Sequence, residues 1–205
     1  MRARPRPGVL IPGALHLLGR PMQAHPNFRP ITPADGAAIL RLHRRAILLD
    51  GVRAYSPAMV RSWADGMTAD YYGRASECGS RIEAAEMHGA IVGFSDVLDD
   101  EIQGLFVDPG FSRRGIARGL AERALIRMRS AGHERARVTA ALSGVGFYET
   151  VGFRPVRGVR HATRGGLHVP VLEMVRDLEP PDPQPSAMDA GPARVLALRS
   201  AGAAV

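Results

Sequence analysis

The chain has 205 residues and a formal net charge of +7, and all 27 of its Lys+Arg side chains are arginine. Without lysine it can form neither a Walker-type phosphate loop nor a pyridoxal Schiff base, and it has no side-chain amine for catalysis. Its one cysteine, Cys78, excludes an internal disulfide and a cysteine-cluster zinc site, and 45% hydrophobic residues suffice for one ordinary core, expected in a reducing, cytoplasmic setting.

Residues 1–26 carry Arg2, Arg4, Arg6 and Arg20 with no acidic residue, and so hold four of the seven excess charges. An arginine-rich start before the apolar Val9–Leu18 has the outline of a secretory signal. Pro12 and Gly13 interrupt that run, however, and no small-residue cleavage site follows Arg20. The segment reads as a disordered extension, or as sequence upstream of a natural start at Met22. Residues 179–205 read as a proline- and alanine-rich flexible tail. A folded domain is expected over 27–178, with no run apolar enough to span a membrane.

Phe28–Ile31 predicts a short strand. Thr32-Pro33-Ala34-Asp35 then supplies an N-cap, a first-turn proline and an acidic third position for a helix. Ile39, Leu42, Ala46 and Leu49 recur at helical spacing, with Gly51 as the stop. Ser56-Pro57 opens a second helix that runs through Val60 and Trp63 to Gly66. Arg81–Met87, Ala90–Val97 and Ile102–Val107 predict an antiparallel meander, turning at His88-Gly89 and at Asp99-Asp100. There follow a glycine-bearing loop, a long crossover helix to about Ala131, a strand Ala136–Ala141 and a short helix over 144–150. A final hairpin pairs Phe153–Val159 with Val169–Arg176. The fold class is mixed α/β.

The stretch from Leu105-Phe106-Val107 through Phe111-Ser112-Arg113-Arg114-Gly115-Ile116-Ala117-Arg118 ends a strand, turns a loop and starts a helix. Gly115 and Ala117 allow close approach of main-chain N–H groups to a ligand. The helix start adds unpaired donors and the positive end of its dipole. That combination suits an anion such as pyrophosphate, and Arg113, Arg114 and Arg118 would add charge-assisted bonds. A plain strand–loop–helix crossover with solvated arginines would carry the same pattern.

In this stretch, and in Leu142-Ser143-Gly144-Val145-Gly146-Phe147-Tyr148-Glu149-Thr150-Val151-Gly152-Phe153 some thirty residues later, the chain resembles the GNAT superfamily of acyl-CoA-dependent N-acetyltransferases. Two signatures occur in the family's order and at compatible separation, and the resemblance covers roughly Phe28–Leu178. Ser112 stands where the family usually has Gln or Arg, and Ser143 where it usually has Asn. Both still hydrogen-bond, with shorter reach.

The resemblance implies a GNAT fold: a mostly antiparallel sheet, flanked by helices and splayed where acetyl-CoA binds as co-substrate. Main-chain groups of Leu105, Phe106 and Val107 would pair with the pantetheine arm, those of Arg113–Arg118 would hold the pyrophosphate, and Ser143 would contribute to the same site. A primary amine of a small molecule or protein would attack the thioester directly. Tyr148 matches the family's tyrosine, implied to protonate the departing thiolate, although a core-packed tyrosine would look the same. For the base that deprotonates the amine, Asp96 and Glu101 are the nearest carboxylates, while Asp99 and Asp100 read as turn formers. Cys78 lies away from both signatures, which disfavours a covalent acyl-enzyme.

Trp63, with Tyr55, Tyr71 and Tyr72, falls in the helical region that would wall the acceptor, and Trp63 equally suits a core position. His161 and His168, with Arg160 and Arg164, flank the last hairpin's loop, where they would suit contact with an acidic acceptor but read first as a solvated loop, and the seven histidines show no metal-ligand spacing. Two other functions compete. One is a GNAT-fold module that binds acyl-CoA without turnover, suggested by the serine departures. The other is nucleic-acid binding driven by charge, disfavoured by an aromatic content of 5% and the absence of a nucleic-acid module. Edge-strand pairing would permit a homodimer.

Overall fold

Thr32 and Asp35 open the first helix as their spacing predicts. In the computed structural model, which describes residues 25–179, the Asp35 carboxylate accepts hydrogen bonds from the Thr32 N–H at 2.7 Å and the Thr32 hydroxyl at 2.9 Å. It also accepts two from the Arg29 guanidinium, at 2.8 and 3.0 Å. The expected extension and tail lie, but for a few residues at their inner ends, outside the described residues.

After β1 (Asn27–Pro30) and a single 3-10 turn come α1 (Gly36–Asp50), α2 (Pro57–Ala64) and α3 (Tyr71–Glu77). Ser56 caps α2 by accepting from the Met59 N–H at 3.3 Å. Helix α3 is a third helix where two are predicted. On α1, Ile47 is buried against α2 in place of Leu49, which is half exposed. The helix leans its stripe toward Tyr55 and Val60 rather than continuing it straight.

The meander follows as β2 (Arg81–Met87), β3 (Ala90–Leu98) and β4 (Glu101–Val107). Both of its turns adopt left-handed backbone, with φ of 53° at His88, 74° at Gly89 and 52° at Asp99. The crossover helix α4 (Ile116–Ser130), β5 (Arg135–Ala141), α5 (Val145–Thr150), β6 (Arg154–Ala162) and β7 (His168–Asp177) complete the domain.

The strands form one seven-stranded sheet in the order β1-β2-β3-β4-β5-β7-β6. Every pairing is antiparallel except β4 with β5. On one face α1 and α3 pack through Ile39, Leu42 and Tyr72 on Ile82, Phe94 and Phe106 of the sheet, and α2 packs through Val60 and Ala64 with Val169 and Val171 of β7. On the other face, α4 packs through Ile116 and Leu120 on Ala85 and Val92, and through Ala124 and Met128 on Ile102, Ala136 and Val138. The edge strand β6 is almost wholly exposed and carries Arg154, Pro155 and Arg157, which hinder the addition of a further strand.

Ile102 is 1% exposed and is one of the two β4 residues paired with β5. Ile102→Ala is expected to lower unfolding free energy by about 2–5 kcal/mol, read from urea denaturation. A loss under about 1 kcal/mol would show that packing does not hold this joint.

Candidate active site

Strand β4 touches β5 at only two residue pairs, Glu101 with Arg137 and Ile102 with Val138. Beyond them the strands part. Leu105, Phe106 and Val107 stay paired with β3 on one side, so the main-chain groups on their other edge have no strand partner. The gap opens into a cavity of about 1040 Å³, at the upper end of the roughly 300–1,000 Å³ usual for ligand sites.

At one end of the cavity stands the loop before α4. Gly115 is its N-cap at φ 79°, with nothing within 4 Å of where a side chain would begin, and Arg113 also takes left-handed backbone at φ 65°. A non-glycine residue held there marks local strain, which the surrounding structure must maintain. The first-turn N–H groups of α4 have no partner within the helix, and its dipole adds positive charge there. Arg113, Gly115, Ile116, Ala117, Arg118 and Ser143 all line the cavity. Arg114 does not, because its guanidinium lies 5.1 Å over the Phe111 ring. Arg118 bonds the Thr150 carbonyl at 3.4 Å and thereby links α4 to α5.

Tyr148 and Asp96 converge on the same cavity from α5 and β3. The Tyr148 ring is a core side chain, 7% exposed and edge-on to Phe147 and Phe153, so burial pushes its hydroxyl pKa up. Packing in the core and presence in the cavity are therefore both true of it. Asp96 is 5% exposed, and its Oδ1 is buried without a hydrogen-bond partner. Burial raises its pKa, and a hydrogen bond from Ser80 partly opposes that shift. Gly104 sits directly opposite Asp96 across the β3–β4 ladder and puts no side chain over it. Glu101 also lines the cavity, but it accepts from the Thr139 hydroxyl at 3.2 Å across the β4–β5 joint.

The face covered by α1–α3 supplies the remaining wall. Trp63 is partly buried, 5.5 Å from the Tyr55 ring and 5.9 Å from His161. Tyr71 lies beneath the Arg164 guanidinium at 4.2 Å. His43, His161 and Arg164 line the cavity; His161, near the end of β6, and Arg164, in the β6–β7 loop, are also exposed. His43 Nδ1 is 3.0 Å from the Tyr72 hydroxyl, and its ring is 4.0 Å from that of Phe106. Burial and the nearby Arg164 charge hold His43 down at about 3. Its position between Leu42 and Ala46 on the buried stripe of α1 is the one mark it leaves in the sequence.

Residues 52–174 match the family model described as an acetyltransferase (GNAT) domain. The uncharacterized N-acetyltransferase YafP of Escherichia coli K12 is 28% identical over 139 residues, 68% of this chain and 88% of that protein. Among solved structures, a GCN5-related N-acetyltransferase of Rhodopseudomonas palustris superposes with a TM-score of 0.71 at 21% identity, covering 78% of this chain and all of that one. The PaiA N-acetyltransferase of Thermoplasma acidophilum, solved in complex with coenzyme A, has a TM-score of 0.60 at 17% identity, covering 74% of this chain and 98% of its own. The family model spans more than half of the sequence, over a sheet that opens where the two signatures meet, and the chain belongs to the GNAT acetyltransferases.

Proposed function

We propose that the protein transfers the acetyl group of acetyl-CoA directly to a primary amine of a small molecule or protein. The observation that carries this reading is the meeting, in one cavity, of the unpaired edge of β4, the left-handed loop before α4, and the buried Asp96 and Tyr148. The residues present fit the co-substrate. The free main-chain edge of Leu105–Val107 matches the amides of a pantetheine arm. The N–H groups of Ile116, Ala117 and Arg118, with the Arg113 and Arg118 guanidiniums, match a pyrophosphate.

Asp96 takes a proton from the acceptor ammonium. The freed amine nitrogen bonds to the thioester carbonyl carbon, the carbon–sulfur bond breaks, the Tyr148 hydroxyl gives its proton to the leaving sulfur, and the second proton lost by the nitrogen as the amide forms restores the Tyr148 hydroxyl. A raised Tyr148 pKa keeps that proton in place until the sulfur demands it. Asp96 suits the base better than Glu101, whose carboxylate is engaged at the strand joint. A buried carboxylate with one unpartnered oxygen, in the same cavity as a buried phenol, also favours turnover over mere acyl-CoA sensing.

Tyr148→Phe is expected to lower kcat by about 10²–10⁴ while leaving the KM for acetyl-CoA nearly unchanged, measured by thiol release with a panel of amines. In the wild type, kcat/KM falls as pH drops through the raised Asp96 pKa, because the protonated carboxyl cannot accept a proton. In Asp96→Asn that limb disappears and activity recovers at high pH, where the amine arrives deprotonated. If no amine in the panel releases CoA and Tyr148→Phe changes nothing, acetyl transfer is the wrong reading.

His43 gives an independent check. With its pKa held at about 3 against 6.5 in the unfolded chain, the unfolded state binds the extra proton between those values. The contribution of His43 to stability is thus complete above about pH 6.5 and is lost progressively as pH falls toward 3. By proton NMR its ring resonances should stay flat between about pH 5 and 8, and a titration in that range would place the imidazole in water.

A further inference from the structure

The acceptor end of the cavity carries more chemistry than proton removal needs. Its outer part is built by the β6–β7 loop, which is fastened to one residue of α2. The Thr163 and Ser62 hydroxyls lie 2.6 Å apart and buried, the Gly165 N–H donates to the Ser62 carbonyl at 3.0 Å, and the Leu167 N–H donates to the Ser62 Oγ at 3.2 Å. The approach is so close that a Cβ at Gly165 would lie 2.7 Å from the Ser62 carbonyl oxygen. Between these fastenings sits Arg164. Its guanidinium is laid on the Tyr71 ring, facing the cavity, and pairs with no acidic side chain among the described residues.

Inward stands Asp96, a buried acceptor with an unpartnered oxygen. Arg164, laid on Tyr71, and Asp96 line the one cavity together with Tyr72, whose ring is 5.3 Å from that of Tyr71, so one small molecule in it can meet both. Trp63, Tyr55 and His161 supply flat apolar surface on the same wall. A cation and an anion held at the two ends of an aromatic wall are complementary to a zwitterion with an apolar side chain. A single guanidinium fork matches the two oxygens of a carboxylate.

We propose that the acceptor is a free amino acid with an aromatic or branched apolar side chain, its carboxylate held by Arg164, its ammonium by Asp96 and its side chain by Trp63 and His161. This rests on the acetyl-transfer reading above. The β6–β7 loop is then a specificity element, and Ser62 and Gly165 are positioning residues that hold Arg164 over the pocket.

The test compares phenylalanine and leucine with their decarboxylated counterparts, phenylethylamine and isopentylamine, both as substrates and as ligands of the CoA-loaded protein. Trp63 is the only tryptophan, so its fluorescence reports binding without requiring turnover. The amino acids should bind and react better than their counterparts. Arg164→Gln should weaken them by roughly 10- to 100-fold through KM and leave the decarboxylated amines unchanged, and Arg164→Lys should restore part of the loss. Gly165→Ala, checked by circular dichroism to be folded, should mimic Arg164→Gln.

The proposal is overturned if the decarboxylated amines bind and react as well as the amino acids, or if Arg164→Gln weakens both classes equally; acetyl transfer itself would then stand. It is overturned equally if no amino acid perturbs Trp63 at about 10 mM, well above the ordinary KM range. Arg164-dependent binding of phenylalanine or leucine without thiol release from any amine would support the subsite and overturn acetyl transfer.

Discussion

Two paired residues on each strand, Glu101 and Ile102 against Arg137 and Val138, are the whole of the strand ladder between β1–β4 and β5–β7. A sheet that continued this ladder would satisfy its main-chain groups and have no cleft. Because the ladder stops, a row of N–H and C=O groups on β4 must meet water or a ligand, since burying them unpaired is costly. The two halves stay together through α4, which packs against β2, β3 and β4 near its start and against β5 near its end. The same helix that straps the halves together presents its open N-terminus to the gap. Fold stability and the anion site therefore depend on one element.

Charge is distributed by the same logic. Most arginines near the sheet are neutralised locally: Arg123 and Arg127 both reach the buried Glu83 at 2.8 Å, Arg137 reaches Asp100, and Arg135 and Arg154 share Asp177. Burial pushes the Glu83 carboxyl up, but the two guanidiniums outweigh it and hold its pKa below the usual range. Exposed pairs such as those on Asp177 contribute little, about 0–1 kcal/mol. Among the described residues, the cavity-lining arginines without an acidic partner are Arg113 and Arg164. The excess positive charge that suggests nucleic acid in the sequence is, within the fold, partly concentrated on the surface of one cleft.

Features set by neighbours along the chain were legible from the residues alone. Thr32 with Asp35, Ser56 with Pro57, the His88-Gly89 turn and the Arg113–Ala117 loop each encode their geometry within a few positions, and every strand was readable. Features set by convergence were not. Helix α3 has one buried residue, Tyr72, and a glycine in its middle, so no apolar stripe announces it. Arg164 looks like a loop residue because the contacts that fasten its loop beside the cavity are made by Ser62, about a hundred positions earlier. Arg114 sits inside the signature, with its guanidinium over the neighbouring Phe111 ring. A short signature can define a loop and still leave open which of its side chains face the ligand.

An all-arginine chain has a further consequence for a protein that works with an activated thioester. Acetylation of a lysine amine erases its charge, whereas a guanidinium stays protonated and is a poor nucleophile. Each ion pair on this surface, from Glu83 under α4 to Asp35 at the start of α1, is therefore built from a cation that acetyl-CoA does not readily modify. The fold offers its own co-substrate no lysine amine to modify.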